Sequence, residues 1–141
     1  MLAGNAPILV HNCGTDEATV YLANYADGRQ HALITIRDAE GEISTHQFGD
    51  VSRSDNGVEA FNPSDLPAIT LRLNISLPFA GRARMFVENA LFKTGEGRWP
   101  PYSLPDQGCV TYCAQVLEAG GLDGIPLDND EAQSWLMARY G

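Results

Sequence analysis

The stretch Ala68–Leu77 (AITLRLNISL) alternates apolar and polar residues, with Ile69, Leu71, Leu73, Ile75 and Leu77 on one side of the chain. A period of two belongs to a β-strand with one buried face, and this is the strongest strand signal in the sequence. Ala18–Leu22 (ATVYL) is β-branched and aromatic and reads as another strand. His31–Arg37 (HALITIR) alternates in part, Asp38–Gly41 has turn chemistry ending in glycine, and Glu42–Phe48 (EISTHQF) reads as the returning strand of a hairpin. Gly49–Pro67 is rich in Ser, Asp, Asn, Gly and Pro and reads as a long surface loop.

Helical spacing appears only after these strands. Met85, Phe86, Ala90 and Leu91 mark a helix over about Ala80–Lys93. A Gly/Pro-rich connection comes next. A second helix starts near Cys109 and stops at Gly120-Gly121, and Asp128–Tyr140 gives a third. Strands first and helices later predict an α+β domain, a small antiparallel sheet packed against two or three helices. The 141 residues suit one domain with its own core.

Several classes are excluded or disfavoured. No apolar run approaches the roughly 20 residues of a membrane span, so no membrane insertion is expected. The first dozen residues lack a basic region and a long apolar core, so they do not read as a signal peptide. Nine Lys and Arg against eighteen Asp and Glu give a net charge of −9. Such a chain repels phosphate backbones, and no nucleic-acid partner is expected. Three cysteines make a poor disulfide framework, which leaves at least one thiol to account for.

The run Ile8-Leu9-Val10-His11-Asn12-Cys13 carries chemistry. An asparagine side-chain amide can attack its own backbone carbonyl and cut the chain behind it. The preceding histidine polarises that carbonyl, and a thiol often comes after. The segment resembles the end of Hint-type (intein-like) self-cleaving domains, which precede toxin modules in polymorphic toxins. The resemblance implies a processing junction at Asn12–Cys13, a remnant over residues 1–12 and a separate domain over 13–141. The bland alternative is a strand with a polar end.

Cys109 stands where the second helix begins, and helix N-terminal N–H groups and dipole lower a thiol's pKa. Gly108 leaves room for a carbonyl, and the Cys109 N–H is a natural oxyanion donor. A thiol nucleophile needs a base, and the base an orienting group. His31 and His46 fall near the same end of the predicted hairpin, but spacing alone does not fix the faces they point to. Cys113 lies one turn after Cys109 and reads as structural.

Gln30-His31-Ala32-Leu33-Ile34, Gly108-Cys109-Val110-Thr111-Tyr112 and Ala119-Gly120-Gly121 resemble the histidine strand and cysteine helix of circularly permuted papain-like (NlpC-type) domains. Leu77-Pro78 before a helix and Tyr102-Ser103-Leu104 before the cysteine fit the same layout. The resemblance implies a permuted papain-like fold with Cys109 as nucleophile, His31 as base and His46 as third member, where Gln47 or Asp38 could stand instead. Gly108 departs from the Asn or Ser expected there.

The resemblance further implies a module of a larger secreted toxin that acts in the recipient cell's cytoplasm. It would be a cysteine-dependent hydrolase (a peptidase, amidase or deamidase) working without cofactor or metal on a protein of a rival cell. A cognate immunity protein is implied as partner. The rivals are a papain-like acyltransferase or lipid hydrolase, a non-thiol nuclease and a non-catalytic binding module. A zinc site on Cys109, Cys113, His31 and His46 has the donor types, but the C-x-x-x-C spacing is atypical. The zinc deaminase pattern is absent, since no Glu stands after His31 at the required position.

Overall fold

The computed structural model describes residues 16–26, 28, 30–47, 57–67, 70–98 and 108–141. Asn12, Cys13 and the junction reading lie outside these residues, as do the connection over 99–107, residues 48–56 and the side chain of Gln47.

The strands are β1 (Glu17–Asn24), β2 (Gln30–Asp38), β3 (Gly41–Gln47), β4 (Val58–Ala60) and β5 (Thr70–Ser76). The helices are α1 (Ala80–Gly95), α2 (Cys109–Ala119) and α3 (Asn129–Tyr140). All neighbouring strands are antiparallel, in the order β4-β3-β2-β1-β5. The α+β class with a small antiparallel sheet and three helices therefore stands as expected. The segment read as one long loop contains β4 and a short 3-10 turn at Pro63–Asp65. Three residues of strand set among loop-forming residues give no periodic signal, and pairing with β3 is what makes them a strand.

Strand alternation sorts the sheet into two faces. Ala18 and Val20 of β1, Ala32, Ile34 and Ile36 of β2, and Leu73 and Ile75 of β5 pack with the helices into the main core. Tyr21, Ala23 and Leu33 point the other way, into a smaller cluster covered by Tyr25, Phe61 and Leu66. Registers agree with this sorting, since Val20 lies opposite both Ile34 and Leu73.

The core-facing side of α1 is Ala80, Ala83, Val87 and Ala90, with Phe86 and Leu91 partly buried against the same core; Met85, expected with them, faces out. Met85 is 68% exposed. The innermost positions of this stripe are small because α2 comes close there: a Cβ on Gly120 would stand 3.2 Å from the Ala83 Cβ. Among the described residues, no helix is long and apolar enough to cross a membrane.

Candidate active site

Helix α2 is the buried helix. Its first five residues, Cys109 through Cys113, are all buried, and Tyr112 and Cys113 are fully so. The Tyr112 hydroxyl shares a 2.8 Å hydrogen bond with the Thr45 hydroxyl of β3, which fixes the helix against the sheet. Burial pushes the Tyr112 phenol above its usual range, so it stays protonated.

The N-terminus of α2 lacks a side-chain cap of its own, because its capping residue is Gly108. Asn129, at the start of α3, supplies the cap instead. Its carboxamide oxygen accepts from the N–H of Val110 at 2.9 Å and of Thr111 at 3.2 Å. Asp128 in turn caps α3, accepting from Asp130 and Glu131 N–H. The first turn of α2 is thus held by a residue some twenty positions later, which sequence reasoning missed. The Asp-Asn-Asp run marks a helix start, but nothing in it names a second helix to be capped.

Cys109 borders a cleft of about 360 Å³ whose wall also includes Gln30, His31, Asn129, Asp130 and Gln133. Cys109 is 7% exposed. Burial raises the thiol's pKa, and the nearby backbone of Ala32, Val110 and Cys109 itself offsets this only in part. This corrects the expectation of a helix start that lowers it. Desolvation of the charged form is the larger effect when the sulfur is this far from water. Cys113 is fully buried, and its pKa is raised further by the same cause. Both positions agree with one thiol at a cleft and one in the core.

The histidines fall together. His46 lies opposite Leu33, and His31 two residues before Leu33, so both share the Leu33 face. The His31 ring meets Tyr25 edge-on at 5.7 Å, and the His46 ring stands 5.9 Å from Phe61. Partial burial, and then the charge of His31, lower the His46 pKa to about 4. Cys109 packs on the helix-covered face with Ala32. Strand alternation thus puts His31 and Cys109 on different sides of β2, while both border the one cleft. Ala32, one residue on from His31, is the neighbour that packs with Cys109 in the main core. HALITIR shows the alternation but not which half of it α2 covers. Asp38, the alternative third member, is at the opposite end of β2, 3.6 Å from Arg84.

Among the described residues, no three of His, Cys, Asp and Glu are gathered where they could hold a metal ion. Comparison of the chain with protein-family models, with curated proteins and with solved structures finds no match in any of the three.

Proposed function

We propose that this chain is the effector module of a larger bacterial toxin and that it acts as a papain-like cysteine hydrolase through Cys109. The observation that supports this reading is Cys109 at the first residue of α2, bordering a cleft. Such a position lets a carbonyl approach the thiol from the cleft. The substrate would be an acyl compound, a protein amide in a recipient cell, and the product of the first step a thioester on Cys109. The producing cell would need an immunity protein against the released module.

Because burial holds the thiol protonated, the reading requires a base. His31 borders the same cleft from the end of β2, and catalytic contacts commonly close only in the substrate complex. In this reading His31 serves the thiol as base across the cleft that both residues border. A second reading, a non-catalytic module with a thiol in its binding cleft, is favoured by the separation of His31 and Cys109 onto two faces of the sheet.

The deciding experiment expresses the chain in the bacterial cytoplasm with and without Cys109→Ser. Loss of toxicity with an unchanged melting temperature is expected of a nucleophile, because a serine hydroxyl is far harder to ionise. Iodoacetamide should label Cys109 before the fully buried Cys113, and His31→Ala should slow that labelling several-fold. A Cys109→Ser chain that remains toxic, or labelling indifferent to His31, selects the binding module instead.

A further inference from the structure

Asn129 is 7% exposed and sits on the wall of the Cys109 cleft. Its carboxamide oxygen is occupied by two N–H donors of α2, which also fixes the orientation of the amide, since only the oxygen can accept from both. The nitrogen then projects away from the first turn of α2. Its two hydrogens meet no acceptor among the described residues, and the residue lines the cleft. A nearly buried amide with unspent donors beside a thiol is suited to receive an oxygen from a ligand.

We propose that the Asn129 carboxamide nitrogen donates a hydrogen bond to the acyl oxygen of a substrate at Cys109, so that one side chain both caps α2 and stabilises the oxyanion. This rests on the reading of Cys109 as a nucleophile. The ligand class is a carbonyl compound, an amide or ester. In the step concerned, the thiol loses its proton to the solvent or to the base. A bond forms between the sulfur and the acyl carbon, and the carbonyl pair moves onto oxygen beside the Asn129 nitrogen. The pair then returns as the bond to the leaving group breaks.

The test uses the whole chain and two reagents with different needs. p-Nitrophenyl acetate acylates a thiol through an oxyanion and releases p-nitrophenolate, whereas iodoacetamide alkylates it by displacement with no oxyanion. Asn129→Asp keeps an oxygen to accept from Val110 and Thr111 and deletes both donors. Its new negative charge lowers the thiolate fraction and slows both reagents alike, so the ratio of acetylation to alkylation at Cys109 isolates the oxyanion. Peptide mass mapping reads that ratio. Loss of one such donor typically costs about a hundredfold or more, and a fall of that order is expected. If the Asp variant does not fold, Asn129→Ser keeps a hydroxyl acceptor but loses the reach into the cleft, and the same fall is expected. An unchanged ratio with a normally acetylated parent chain overturns the proposal. A parent chain that is alkylated but never acetylated at Cys109 overturns the nucleophile reading and takes this proposal with it.

Discussion

His46 shows how a residue's surroundings can reverse its ordinary chemistry. Partial burial first, and the nearby His31 second, hold its pKa at about 4, well below the usual value near 6.5. The folded chain therefore binds this proton less readily than the unfolded chain does. The stability linked to His46 is fully present above about pH 6.5 and is lost as pH falls toward 4. The urea midpoint should drop between pH 7 and 4.5, and His46→Gln should flatten that drop. An equal slope in both chains would falsify the assignment. The same competition decides Cys109. Its position at a helix start was legible from Gly108-Cys109 and the apolar run after it. The upward direction of its pKa was not legible, because it depends on how much of the sheet closes over the sulfur.

At the scale of elements, α2 is tied to the rest by a few buried contacts, each with a measurable cost. Tyr112→Phe leaves the fully buried Thr45 hydroxyl without its partner and should cost about 1–3 kcal/mol. Adding Thr45→Val should recover part of that loss, because both polar ends are then gone; a purely additive double variant would show that the bond is not coupled. At the other end of α2, a Cβ on Gly120 would come within 2.8 Å of a Leu77 side-chain carbon. Gly120→Ala should therefore lower stability by about 1–3 kcal/mol, read from thermal melts. Gly120-Gly121 was readable as a helix stop, and Gly121, with φ of 101°, has the backbone of one. That Gly120 also serves as a close-contact point between α1 and α2 was not readable. A glycine's reason for being small is the neighbour it meets, and that neighbour is far away in sequence.

For the whole molecule, the described fold starts at Asp16, whose carbonyl accepts from Leu77 N–H as β1 pairs with β5. If residues 1–12 are a processing remnant, a chain beginning at Cys13 should melt within about 1 °C of the full chain and be labelled at Cys109 at the same rate. A large loss in either would place the domain boundary earlier. Period-two runs such as ITLRLNISL, the Asp38–Gly41 turn and the helix stops are local, and the sequence by itself determined the α+β class, four of the five strands and all three helices. These signals rest on backbone geometry, which neighbours along the chain control. The short β4 and the Asn129 cap are non-local, and only the tertiary structure decided them. So too with the candidate site. The sequence supplied Cys109, His31 and His46 as chemical types, and put the two histidines near one end of a hairpin. Which side of that hairpin α2 covers was settled by packing: Ala32, Ile34 and Ile36 offer an apolar surface to the helix, so the alternate residues, His31 and Leu33 among them, must face away from it.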